Sequence, residues 1–165
     1  MCCKEKSERI KIRNDMCARS ALVFLHQGEQ LLSAMKPGSV NFLYYYIAPC
    51  TVELAFSCEL YLKAIIATEN DNYIKPGHYL KALFNQLSKE AQIRVEKKYS
   101  SYESAHPECK ALMPLKKCLK KHSNAFMEWR YYFEIGKHPS VEPSSLYYLV
   151  LSLRDVYQEE TSHAD

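Results

Sequence analysis

The sequence predicts an all-α fold, an antiparallel helical bundle of about five to six helices. Apolar residues recur at spacings of three and four along much of the 165-residue chain, which is the periodicity of amphipathic helices. Only four glycines occur, and most of the seven prolines stand where a helix would begin or end. The chain contains no Asn-Gly or Asp-Gly, the dipeptides typical of tight hairpins, so a strand-rich fold is disfavoured.

The stretch 53–66 is the only long segment that is apolar on nearly every side. A helix of this kind belongs at the centre of a bundle, where neighbours cover more than one face. Glu59 and Lys63 lie between its two apolar arcs, and their spacing of four favours an ion pair on one helix. These two residues either satisfy each other or serve a ligand.

The remaining elements follow from periodicity and from helix start and stop signals. Residues 1–13 are expected to form a flexible or helical extension, and 14–160 a single domain. The predicted helices are 14–36 with Asn14 or Asp15 as cap, 40–69 with a kink at Pro49, 78–87, 88–102 starting at Ser88, one long helix from after Pro107 to 134 or 135, and 144–158 with Ser144 or Ser145 as cap.

Composition narrows the class of protein without naming an activity. The chain is 47% hydrophobic and 25% charged, with a net charge of +3, which describes an ordinary globular domain. Its seven cysteines include no Cys-x-x-Cys pair, so we expect no disulfide framework, no metal site, no cofactor and a reducing cytoplasm. The most apolar window, 42–67, contains Pro49, Glu53, Glu59 and Lys63, and no transmembrane segment is predicted.

The strongest charge feature is a lysine cluster formed by Lys116, Lys117, Lys120 and Lys121. These residues crowd one side of a predicted helix whose other side carries Leu112, Leu115 and Leu119. Such a cluster is either a solvated helix face or a surface for RNA phosphates.

Three sequence blocks in order resemble the HEPN helical domains of prokaryotes. They are Glu-Leu-Tyr-Leu-Lys-Ala at 59–64, Gly-His-x-Leu-x-x-Leu-Phe-x-x-Leu at 77–87, and Phe-x-x-Trp-Arg-Tyr-x-x-Glu at 126–134. The resemblance covers roughly residues 40–135, and its polar motif residues here are Glu59, Lys63, His78 and Glu134. It implies an antiparallel bundle that commonly dimerises. The family divides between metal-independent endoribonucleases of defence and toxin systems and non-catalytic members that bind nucleotides, RNA or proteins.

The ribonuclease members carry an Arg followed by four to six residues and a His. A His can move protons at the 2′-hydroxyl or the leaving oxygen, while Arg stabilises charge on the phosphate oxygens. Here Arg130 stands in the matching block, but the next His is His138, with seven residues between. Arg19 and His26 have the right spacing, yet they lie outside the matching blocks.

These observations support three hypotheses. The leading one is a cytoplasmic bacterial HEPN-like homodimer that binds RNA, a nucleotide or a partner protein from a neighbouring gene within a defence or toxin-antitoxin system. The alternative is a divergent metal-independent endoribonuclease in which Arg130 acts with His138 or His122. The third is a helical protein that only holds a partner and binds no nucleic acid.

Overall fold

The computed structural model describes residues 10–35, 40–105, 112–131 and 142–162. Within these ranges the chain is almost entirely helical, which confirms the all-α prediction. The elements are β1 (Ile10–Lys11), α1 (Asn14–Ala34), α2 (Val40–Glu69), β2 (Tyr73–Ile74), α3 (Leu80–Phe84), α4 (Lys89–Ala105), α5 (Leu115–Lys121), α6 (Ala125–Arg130) and α7 (Pro143–Ser162).

The central position predicted for 53–66 is confirmed, because α2 packs against α1, α3, α6 and α7. Leu54, Cys58, Leu62 and Ile65 are fully buried along it. Pro49 lies inside α2 without dividing it. No helix in the described part of the chain is both long enough and apolar enough to cross a membrane.

Helices α1 and α2 run antiparallel in close contact. The Ser57 hydroxyl donates to the Ala21 carbonyl at 2.7 Å, and the Asn14 amide lies 3.3 Å from the Thr68 hydroxyl. Gly28 makes the close approach possible, since a Cβ atom there would lie 2.6 Å from a methyl carbon of Leu54.

Helix α4 is joined to α7 by polar contacts along its length. Arg94 pairs with Glu160, Lys98 pairs with Glu159 at 2.5 Å, and the Tyr102 hydroxyl donates to Asp155 at 2.6 Å. The pairing order shows that the two helices are antiparallel.

Two residues of the predicted N-terminal extension, Ile10 and Lys11, form a short strand. Ile10 pairs with Ile74 and Lys11 with Tyr73 in an antiparallel two-stranded sheet. Asp71 and Asn72 make the preceding turn with positive φ angles of 50° and 66°, a conformation that Asp and Asn tolerate better than most residues.

The helix caps agree with the sequence at one of three positions. Ser88 caps α4 as predicted, accepting a hydrogen bond from the Ala91 N–H at 3.1 Å. Arg13, not Asn14 or Asp15, is the N-cap residue of α1, and it makes no side-chain cap. Helix α7 begins at Pro143, whose missing N–H costs nothing at the first position of a helix. The Glu142 carboxylate accepts a hydrogen bond from the Ser145 N–H at 3.3 Å. Ser144 and Ser145 are therefore inside the helix.

The long helix predicted to reach 134 or 135 is wrong. A turn at 122–124 separates α5 from α6, which raises the number of helices in the described residues to seven. The turn lets the Ser123 carbonyl accept the Leu80 N–H at 2.8 Å, which caps α3. A contact between distant segments has thus overridden local periodicity.

Candidate nucleic-acid interface

The lysine cluster lies on the outer side of α5. Lys116, Lys117 and Lys120 are exposed and Lys121 is half-buried. Leu115, Cys118 and Leu119 of the same helix are buried and attach it to the bundle. The amphipathic pattern therefore fixes the backbone while leaving several ammonium groups in contact with water.

A groove of about 370 Å³ lies between α3, α4 and α5. Two lysines of the cluster contribute to its wall. Its lining residues are Lys81, Phe84, Asn85, Gln92, Glu96, Leu115, Lys116, Leu119 and Lys120. We call this feature the α3–α5 groove.

The lining of the α3–α5 groove combines lysine ammonium groups with apolar side chains. The lining contains three lysines and one carboxylate, that of Glu96, so its formal charge is +2. Phe84, Leu115 and Leu119 are each more than nine-tenths buried and supply the apolar part of the lining, which we call the apolar floor. Such a lining suits an anion that carries an apolar portion.

A second cavity of about 350 Å³ continues the α3–α5 groove along α4. It shares Glu96, Leu115 and Lys116 with the groove and adds Tyr99, Ser100 and Pro114. The two cavities share part of their lining, so the surface extends from the groove along α4.

The family-motif residues Glu59, Lys63 and His78 meet at one buried carboxylate. Glu59 is 1% exposed, and its Oε1 accepts from the Lys63 Nζ at 2.6 Å, which confirms the predicted ion pair. Nδ1 of His78 lies 2.9 Å from the same Oε1. The Leu80 N–H at the start of α3 donates to the Ser123 carbonyl, so His78 does not cap this helix. The trio fastens the loop before α3 to the central helix.

Arg130 lies at the end of α6 and is exposed. Its guanidinium carbon is 5.8 Å from the Phe126 ring centre and 5.4 Å from that of Tyr131. Trp129 beside it is buried. The proposed partner His138 and the motif residue Glu134 lie outside the described residues, so the geometry of His138 with Arg130 remains a prediction.

His122 is unsuited to proton transfer with a substrate because it is 1% exposed. Its Nδ1 lies 3.2 Å from the Cys118 carbonyl, and its Nε2 accepts from the Glu142 N–H at 3.4 Å. Both nitrogens are used by the neutral ring, and burial lowers its pKa to about 4. The structure therefore gives His122 a structural role.

The cysteines in the described core are also unreactive. Burial raises the pKa of Cys118 to about 12, and it raises the pKa of Cys50 to about 12 as well. Neither thiol forms a thiolate near neutral pH. Across the described ranges, no three His, Cys, Asp or Glu side chains come together as a metal site requires.

Sequence reasoning missed the groove residues outside α5. Lys81, Asn85 and Gln92 come from two other helices and join Lys116 and Lys120 only through the fold. Periodicity did contain a partial signal, since Lys81 and Asn85 are four apart and fall on the polar side of 78–87.

No family model, no curated protein and no solved structure matches this chain.

Proposed function

We propose that this chain is a HEPN-like helical module that binds RNA without cleaving it. The observation that carries the proposal is the exposed lysine cluster beside the positively charged α3–α5 groove. Lysine ammonium groups bind phosphate as point charges, and each contact releases a counterion from the nucleic acid. The three blocks that resemble HEPN domains support the assignment, as does the all-α bundle.

The resemblance also supports the biological setting that we propose. The module acts in the cytoplasm as a homodimer, within a defence or toxin-antitoxin system, and engages a protein from a neighbouring gene. Exposed apolar side chains on α1, including Met16 and Val23, favour the homodimer because association would cover them. A dimer should give twice the chain mass in light scattering at tens of micromolar, whereas a monomer mass would contradict it.

One observation favours a second candidate, the metal-independent endoribonuclease. The Arg130 guanidinium is exposed, and no ion pair holds it among the described residues. An arginine of this kind is available to a phosphate. We rank this candidate second because His122 is buried and seven residues separate Arg130 from His138.

The lysine cluster provides the test of RNA binding. Replacing Lys116, Lys117, Lys120 and Lys121 with Glu should abolish binding of single-stranded RNA in fluorescence anisotropy. In the wild-type protein, the logarithm of the binding constant should fall by about three for each tenfold rise in salt, if all four contact phosphates.

The control for this experiment is the helical circular dichroism spectrum of the variant, which should be unchanged since the substituted residues lie on the outer side of α5. Unchanged RNA affinity in the folded variant would refute the proposal that the cluster is the binding surface.

A further inference from the structure

We propose that the α3–α5 groove holds one nucleotide of a single-stranded RNA, with its base against the apolar floor and its phosphate between the lysines. This inference rests on the proposed RNA-binding function and adds which part of the RNA is bound and where. Four features of the groove carry it: its floor, its amides, the division of the lysines and its extension along α4.

The apolar floor distinguishes this groove from a simple phosphate site. A phosphate alone gains nothing from Phe84, Leu115 and Leu119, whereas the face of a nucleobase does. The volume of about 370 Å³ also falls within the range of roughly 300–1,000 Å³ that small-ligand sites occupy.

Two amides supply what the edge of a base requires. Asn85 is exposed at the end of α3, and its carboxamide offers both a donor and an acceptor. Gln92 is half-buried, its Nε2 donates to the Leu87 carbonyl at 2.9 Å, and its Oε1 accepts from the Lys89 ammonium at 3.4 Å, which leaves one Nε2–H for the edge of a base. These contacts hold the Gln92 side chain in place. A fixed amide beside the apolar floor favours a nucleobase over an acyl chain, because only the nucleobase has polar edge atoms that can bond to it.

The lysines divide into two pairs on the helix surface. Lys116 and Lys120 are four apart and line the groove, while Lys117 and Lys121 follow each of them by one residue, about 100° around the helix. The first pair is therefore placed for the bound nucleotide. The second pair is placed for phosphates that lie outside the groove.

The extension along α4 favours a strand over a free nucleotide. The second cavity shares Lys116 with the groove and contains the Tyr99 and Ser100 side of α4. A chain of nucleotides needs such a continuous path, whereas a single nucleotide does not. A duplex is disfavoured because its stacked and paired bases cannot enter a groove.

The two lysine pairs provide matched variants with equal charge loss. Lys116→Gln with Lys120→Gln alters the groove, and Lys117→Gln with Lys121→Gln serves as its control. Anisotropy titrations at constant salt would use a labelled single-stranded RNA, its duplex, and an abasic strand of the same length, and calorimetry would use adenosine monophosphate. Circular dichroism would confirm that both variants are folded.

If the groove holds a base, we expect the affinity of the wild type for the base-bearing strand to exceed its affinity for the abasic strand and the duplex by about tenfold or more. The 116/120 variant should lose this preference. The 117/121 variant should bind every strand more weakly while keeping the preference, because only sequence-independent phosphate contacts are removed.

Three results would overturn the inference. If the protein binds base-bearing and abasic strands equally, and both variants lose the same affinity, the groove does not hold a nucleotide. RNA binding by the lysine cluster would still stand. If the protein binds adenosine monophosphate but does not bind the RNA strand, the groove holds a free nucleotide and not part of a strand. No binding of any probe would refute the groove and the proposed function together.

Discussion

Two ionisable side chains in the core, Glu59 and His122, are each 1% exposed and are stabilised in different ways. Glu59 is paired with the Lys63 ammonium at 2.6 Å, although its Oε2 has no hydrogen-bond partner in the structure. His122 is neutral and uses both ring nitrogens in hydrogen bonds. The contribution of His122 to the free energy of unfolding should therefore depend on pH, whereas that of Glu59 should depend on the presence of Lys63.

His122 should make the protein less stable in mild acid. Burial lowers its pKa from 6.5 to about 4 in the folded chain, so between these values the unfolded chain binds more protons. Stability is then lost as the pH falls from about 6.5 to about 4, by up to about 3 kcal/mol. Urea denaturation of wild type and His122→Gln at pH 7 and pH 4.5 should show a smaller loss in the variant.

Comparison with wild type at each pH isolates His122 from other groups. Burial raises the pKa of Glu160 to about 7, which acts in the opposite direction because the folded chain holds that proton more tightly. His26→Gln is the control, since the His26 side chain is 62% exposed. The same pH response in His122→Gln and wild type would contradict a buried neutral His122.

Lys63 should be needed mainly to balance Glu59. Lys63→Met leaves the buried Glu59 carboxylate without its ammonium partner and should lower the free energy of unfolding by about 3 kcal/mol. Adding Glu59→Leu should recover part of that loss, because both charges are then absent although the contact of Glu59 with His78 is lost as well. Urea denaturation of the single and double variants measures this coupling.

An exposed ion pair gives the control. Asp15→Asn breaks the pair of Asp15 with Arg13, whose side chains are 46% and 73% exposed, and should produce no measurable change. A Lys63→Met variant as stable as Asp15→Asn would show that burial does not strengthen the dependence of Glu59 on Lys63.

At the scale of helices, sequence periodicity is sufficient where a long apolar pattern runs without a competing contact from a distant segment. It predicts the bounds of α2 and the start of α1 correctly because their patterns are long. It fails at 122–124, where the reason for the turn is the contact of Ser123 with α3, distant in the sequence. The α3–α5 groove was beyond prediction for the same reason, since three helices contribute to it.

The packing of α1 on α2 should be sensitive to one methyl group. A Cβ atom at position 28 would lie 2.8 Å from the Leu54 Cγ, which is too close for an unchanged core. Gly28→Ala should lower the free energy of unfolding by about 1 to 2 kcal/mol, even though Ala favours helix by up to about 1 kcal/mol. Thermal or urea denaturation measures the balance.

Gly77→Ala is the matched control, because no atom lies within 4 Å of a Cβ built there. Its stability should equal or slightly exceed that of wild type. Pairing Gly28→Ala with Leu54→Ala should relieve the clash, so the double variant should be more stable than the sum of the single losses predicts. Strict additivity would contradict the close contact.

For the whole molecule, the central helix α2 both stabilises the bundle and helps to position the residues of the α3–α5 groove. Its buried Glu59 fastens the loop before α3 through His78, and α3 carries Lys81 and Asn85 to the groove. The sequence predicts the lysines of α5 and the motif residues of α2 as candidate site residues. It did not show that they support one surface, because their spatial relation depends on the turn at 122–124.

The central claim is that the protein binds RNA and leaves it intact. Its most direct test is one incubation of purified protein with labelled single-stranded RNA in EDTA, divided between a native gel and a denaturing gel. We expect a shifted band on the native gel and full-length RNA on the denaturing gel. Cleavage of the RNA by the wild type, together with loss of cleavage when Arg130 or His138 is replaced with Ala, would establish the ribonuclease instead. RNA that is neither shifted nor cleaved would contradict RNA binding altogether.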